Sequence, residues 1–202
     1  MSNYKLTYFN FKGLGEPIRM LLTYGGVDFK DHRIEMEDWP ALKSTMPMEQ
    51  MPVLEIDGKV YHQSIAIGRY LAKKFALYGR DDLEAMSIDG SVADIEDFRQ
   101  DVTLYFREKD EDLKAKYLKN VETKSVFFLN KFEERAKKNG GYFVGSKLTW
   151  ADIHFTCIIE LVSTVLKRDL LLNYPTLTKL YDHVRSHPKL KDYIQKRPKT
   201  HI

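Results

Sequence analysis

The chain has 202 residues, 43% hydrophobic and 30% charged, with 32 basic against 29 acidic side chains and a net charge of +3. That is the profile of an ordinary soluble globular protein, long enough to bury a real core; it excludes a collagen-like or intrinsically disordered chain and makes a disulfide or metal staple unnecessary. So small a net charge, with no basic arm and no Lys/Arg patch interleaved with aromatics, gives no argument for a nucleic-acid partner.

From the first residues onward the texture alternates between short apolar runs and helical periods. Tyr4 to Phe9 reads as a strand with Leu6 and Tyr8 on one face. Gly13 and Gly15 break it, and a helix follows with Pro17 near its start and Ile18, Leu21 and Leu22 on one side. Gly25-Gly26 ends that helix. Phe29 to Ile34 forms a second strand, and a loop or short helix runs from Trp39 to Pro47. Val53–Ile56, Asp57-Gly58 and Lys59–His62 read as strand, type I′ turn and strand. Ser64 stands as N-cap of a helix carrying Ile67, Leu71 and Phe75. Residues 77–83 are a linker candidate. Beyond it only helical periods occur: Ile88/Val92/Ile95/Val102/Tyr105, Leu118/Val121/Phe128/Phe132, Ile153/Cys157/Leu161/Val165 and Leu177/Leu180/Tyr181/Val184, with Pro188 opening a short last helix. Thr149 and Asp152 fit a capping box, with Leu148 as its staple. Strands in one half and helices in the other predict two domains, an open α/β layer followed by an all-α domain.

The only cysteine, Cys157, excludes an intramolecular disulfide, a CxxC pair and a multi-cysteine zinc site. It falls on an apolar helix stripe and reads as inert core. A lone thiol suits a reducing compartment. With no visible secretory signal and no apolar run near the ~20 residues a membrane helix needs, the expected location is cytoplasmic, with no membrane partner.

A few residues suggest chemistry. Tyr8 ends the first strand, where ligands of open α/β sheets bind; it is either a half-buried strand tyrosine or a neutral hydrogen-bond donor to an anion. Met51-Pro52 precedes a strand, where a proline is tolerated; if the bond is cis, the backbone of the preceding residue turns outward toward a ligand. Gln63-Ser64 opens a helix, whose free N–H groups and dipole attract a carboxylate, although simple capping is the commoner use. Asp94, Asp97 and Asp101 share a helix face as a solvated acidic stripe, with no spacing diagnostic of a metal. His183 and His187 have zinc-compatible spacing but no third ligand, so they read as an exposed pair. Gly13-Leu14-Gly15 lacks the remainder of any phosphate-loop motif.

The runs Tyr4–Phe9, Gly15-Glu16-Pro17-Ile18-Arg19, Asp38-Trp39-Pro40, Met51–Gly58, His62–Ile67, Lys147–Asp152 and Lys196-Arg197-Pro198, in this order, closely resemble a sigma-class glutathione S-transferase over essentially the whole chain. The class includes invertebrate transferases, hematopoietic prostaglandin D synthases and lens S-crystallins. The resemblance implies a thioredoxin-like glutathione-binding domain at 1–79. It implies an all-helical domain at 80–202 that forms the electrophile site and part of a homodimer interface. The electrophile would lie in an apolar cleft between the domains, near Tyr8, with one wall from the helix holding Tyr105 and Phe106. Tyr8 would hydrogen-bond the glutathione sulfur. Met51, ahead of cis Pro52, would pair its backbone with the cysteinyl part, and Gln63 and Ser64 would hold the γ-glutamyl carboxylate. Trp39, Lys43 and Gln50 would meet the glycine end, and Asp97 would reach the other subunit's γ-glutamyl amino group. Glutathione would be a co-substrate, and no metal would be required.

Departures sharpen the expectation. The prostaglandin synthase pattern has Arg at Leu14, Trp at Leu104, and a Mg²⁺-linked aspartate cluster where this chain has Ala93 and Glu96. Glu49 puts a negative charge near the glycine-carboxylate end. The leading expectation is therefore a transferase for small hydrophobic electrophiles such as lipid-peroxidation products, compatible with a peroxidase side activity. A prostaglandin D isomerase and a non-catalytic, crystallin-like ligand binder are the alternatives; the absence of an insertion between Glu108 and Lys124 counts against the latter.

Overall fold

The structure is a computed structural model that describes residues 2–200. Its chain divides into two compact units, Met1–Tyr78 with Arg185–Ile202, and Gly79–Val184.

The first unit is built on a four-stranded sheet in the order β2-β1-β3-β4. Strands β1 (Tyr4–Phe9), β2 (Phe29–Ile34), β3 (Val53–Ile56) and β4 (Lys59–His62) lie where the apolar runs predicted them. β1 runs parallel to β2 and antiparallel to β3. The parallel pair needs a crossover, and α1 (Gly15–Tyr24) supplies it. Asp57 and Gly58 both have positive φ, 51° and 81°, as the type I′ hairpin requires. α1 packs on α3 (Ser64–Lys74) and on β1. Ile18, Leu21 and Leu22 of α1 and Ile67 and Leu71 of α3 are buried with Leu6 and Leu54 of the sheet. At the end of α1, Gly26 takes the left-handed conformation, while a Cβ on Gly25 would approach the Phe75 ring to 2.4 Å. The segment between β2 and β3 holds the single turn α2 (Trp39–Leu42) and two 3₁₀ turns.

One local reading changes. Ser64 is the first helical residue of α3, and Gln63 occupies the cap position with φ 73° and no side-chain cap bond. The chain leaves β4 and enters α3 without an intervening residue other than Gln63, so the reversal falls on that backbone.

The second unit contains α4 (Asp82–Arg107), α5 (Glu111–Lys138), α6 (Trp150–Leu166) and most of α7 (Pro175–Ser186); α8 (Lys191–Lys196) belongs to the first unit. α4 packs against both α5 and α6. Of the predicted stripe Ile88, Val92, Ile95, Val102 and Tyr105, the first four are buried and Phe98 joins them, while Tyr105 is only half-buried. α6 is buried on nearly all sides. The capping box at its start is present: Thr149 N–H and Oγ1 donate to Asp152 Oδ2 at 2.7 and 2.9 Å, and Phe143 N–H donates to Oδ1 at 2.8 Å. Glu133 of α5 plays a similar part for α7, accepting from the N–H groups of Thr176 and Leu177. Cys157 is buried, as its place on the stripe predicted. No helix among the described residues is long and apolar enough to cross a membrane.

Candidate functional site

The sheet register gathers most of the predicted residues at one end. β3 pairs antiparallel with β1 up to Thr7↔Val53, so Met51-Pro52 lies beside the carboxyl end of β1, where Tyr8 stands. Val53 in turn pairs with His62, so Gln63 and Ser64 emerge at that same end. Trp39 follows β2, whose Ile34 pairs with Phe9, and its ring meets the edge of Phe9 at 5.4 Å. The Met51–Pro52 peptide is cis. Six residues from four separate stretches of sequence thus converge because of strand pairing.

Tyr8 is 6% exposed and closely boxed. Phe9 and Phe11 meet its ring edge-on at 5.5 and 5.6 Å. A Cβ on Gly15 would come within 2.5 Å of the ring, and one on Gly13 within 2.6 Å of the hydroxyl, so the glycine pair that follows the first strand serves close approach. Leu14 N–H donates to the hydroxyl oxygen at 3.0 Å. That bond orients the phenol, and a donor to the oxygen makes its proton a better hydrogen-bond donor. The Leu14 amide was not foreseen: a backbone donor leaves no trace in residue identity.

Lys43, Glu49 and Gln50 are exposed in the β2–β3 segment. Lys43 Nζ stands 3.5 Å from Glu49 Oε2, so the cation expected to meet a ligand carboxylate already faces a carboxylate of its own chain. Met48 and Glu49 both have positive φ, at 52° and 51°.

In the second unit the acidic stripe of α4 divides. Asp94 pairs with Arg135 and Asp101 with Lys124, each at 2.6 Å, while Asp97 is exposed. Glu96, on the neighbouring face, accepts from Arg99 and stands 2.8 Å from His154 Nε2. Burial alone would raise the Glu96 carboxyl, but the His154 hydrogen bond and Arg99 outweigh it and bring it down to about 2. Among the described residues no group of acidic, His or Cys side chains could hold a metal ion. His183 lies against Tyr142 and His187 against Tyr24, each within its own unit.

The chain matches the model of the glutathione S-transferase N-terminal domain over residues 4–73 and that of the C-terminal domain over residues 96–197. It belongs to the glutathione S-transferase family. Among its relatives, a glutathione S-transferase of Anopheles gambiae is 45% identical over the full length of both chains. A hematopoietic prostaglandin D synthase of Gallus gallus is 41% identical, again over the full length of both. The solved structure described as prostaglandin synthase D of Nilaparvata lugens superposes with a TM-score of 0.94 at 46% identity, covering 98% of this chain and all of that one. The α/β-plus-helical architecture is thus that of the family.

Proposed function

We propose that this protein is a sigma-class glutathione transferase that joins the glutathione sulfur to small hydrophobic electrophiles, lipid-peroxidation products among them. The observation that carries the proposal is Tyr8: a phenol at the carboxyl end of β1, oriented by Leu14 N–H at 3.0 Å, on the same sheet end as Met51-Pro52 and Gln63-Ser64. A thiol with pKa near ~8.5 is only a few per cent ionised at neutral pH, and the thiolate is the nucleophile. A phenol O–H aimed at sulfur stabilises S⁻ over SH and raises that fraction. Tyr8 therefore acts as a donor to the thiolate and not as a base.

Glutathione lies along the sheet end in this reading. The Met51 backbone pairs with its cysteinyl part. Gln63, Ser64 and the amides of the first turn of α3 take the γ-glutamyl carboxylate. Trp39, Lys43 and Gln50 take the glycine end. Residues 1–79 form the glutathione-binding domain, and residues 80–202 supply the electrophile contacts and part of the interface of a homodimer, in which Asp97 serves the neighbouring subunit. The protein works in the cytoplasm. It requires no metal: Glu96 is engaged by Arg99 and His154, and Asp94 by Arg135, so chelator treatment is expected to leave the rate unchanged.

The test is conjugation of glutathione to a generic aromatic electrophile at neutral pH by wild type and Tyr8→Phe. Losing a hydrogen bond to a charged sulfur predicts a fall in kcat of about 10- to 100-fold with the glutathione KM little changed. An inactive, folded wild type, or a Tyr8→Phe variant as fast as wild type, would overturn the assignment and favour a ligand-binding role. A second reading, glutathione-dependent prostaglandin D isomerisation, is favoured by the two relatives named as such synthases. Product analysis after supplying the endoperoxide decides between them.

A further inference from the structure

Glu16 and Arg19 form a buried ion pair that the transferase chemistry does not use. Their side chains are 1% and 0% exposed. Arg19 spends its donors on the segment that carries Tyr8. Nη2 donates to the Phe9 carbonyl at 3.2 Å and Nη1 to the Phe11 carbonyl at 2.9 Å, while Nε is held by Asp31 at 3.0 Å. Its guanidinium also lies 5.8 Å from the centre of the Tyr8 ring. The two carbonyls flank Asn10, two residues after Tyr8, and the same segment returns through Gly13 to offer the Leu14 N–H to the phenol.

Arg19 has a competing partner. Glu16 Oε2 lies 3.4 Å from Nη1, a long and weak contact for an opposite charge in a buried place. The other oxygen explains why the contact stays long. Glu16 Oε1 accepts from Arg197 Nη1 at 2.7 Å and from the Tyr193 hydroxyl at 3.0 Å. Burial, followed by the charge of Glu16, drives the Tyr193 phenol above its ordinary range, so it remains a donor at any working pH. Arg33, at 2.8 Å from Asp31, balances the charge on the far side. Removing Arg197 leaves a buried carboxylate whose nearest remaining cation is Arg19, and the guanidinium is then drawn off the carbonyls.

We propose that Tyr193 and Arg197 are positioning residues for Tyr8: by saturating Glu16 they keep Arg19 on the Phe9 and Phe11 carbonyls and so fix the segment that orients the phenol. The inference rests on the role given to Tyr8 above. No group in this chain of contacts touches the expected ligand, so a displaced phenol is the means by which it acts, and small displacements of a reacting constellation are costly to rate.

The experiment compares Tyr193→Phe, Arg197→Met and Arg197→Lys with wild type in conjugation kinetics, recorded as kcat, glutathione KM and the pH profile of kcat/KM, with circular dichroism and thermal midpoints as the check on folding. Tyr193→Phe and Arg197→Met should each lower kcat by about three- to tenfold and move the acidic limb of the profile to higher pH, with glutathione KM within about twofold. Arg197→Lys, which restores a cation to Glu16, should recover most of the loss. Folded variants with wild-type kcat and pH profile would overturn the proposal. If Arg197→Met fails to fold, Tyr193→Phe decides, because its ring still fills the same space. A Tyr8→Phe control that matches wild type would instead sink the reading of Tyr8 itself, so the two failures are told apart.

Discussion

Lys43 and Glu49 are more than half exposed, so their ion pair at 3.5 Å contributes little to folding. Its consequence belongs to binding, because a ligand carboxylate must share or displace Glu49. Glu49→Gln is expected to lower the glutathione KM about two- to fivefold without changing kcat, an effect that fades at high salt. Steady-state kinetics at two ionic strengths check this; an unchanged KM at low salt would mean that Lys43 does not meet the glycine end. Tyr8 could be singled out from its place at the end of the first strand, whereas Lys43 and Glu49 entered only through the family resemblance. The burial of Arg19 was not legible. Its i−3 acid sits among Ile18, Leu21 and Leu22, and nothing in one helical turn announces that both charges are buried and that their partners lie near residue 195.

Among the elements, α6 has the most heavily specified start. Asp152 satisfies the Thr149 N–H and hydroxyl and also holds Phe143 N–H, joining the loop at 143 to the helix. Removing that carboxylate leaves buried donors without a partner. Asp152→Ala should therefore destabilise by about 2–4 kcal/mol, and Thr149→Ala by about 1–2 kcal/mol, measured by denaturant unfolding. Equal, small losses would show that the box is only local capping. The box was readable from four residues because all of its first partners lie within one turn; Phe143 lay outside that window. The start of α3 failed for the complementary reason. Ser64 looks like a cap, yet the cap falls on Gln63 because β4 and α3 adjoin, a matter of chain reversal and not of side-chain preference.

At the scale of the molecule, all four strands and the succession of helices were legible from periodicity, and the sheet order was not. Local runs do not encode which strands pair, and it is the pairing of β1 with β3 and of β3 with β4 that turns scattered residues into a site. Long-range acid–base pairs also govern the response to pH. The Glu96 carboxyl, at about 2 in the fold, lies below its ordinary 4.5. A depressed carboxyl contributes stability that is fully present above about 4.5 and lost as pH falls toward 2, on the order of 3 kcal/mol in total. Acid titration of unfolding free energy should show this loss, and Glu96→Gln should flatten it. A variant with the wild-type acid profile would remove Glu96 from the account.

In the proposed chemistry everything follows from Tyr8 stabilising the glutathione thiolate. The most direct measurement is the ultraviolet absorbance of the thiolate in the glutathione complex as a function of pH, for wild type and Tyr8→Phe at saturating ligand. The account predicts that bound glutathione ionises well below the ordinary range of a free thiol in wild type, and that Tyr8→Phe returns the titration by one unit or more toward about 8.5. Coincident titration curves for the two proteins, with glutathione bound in both, would contradict it.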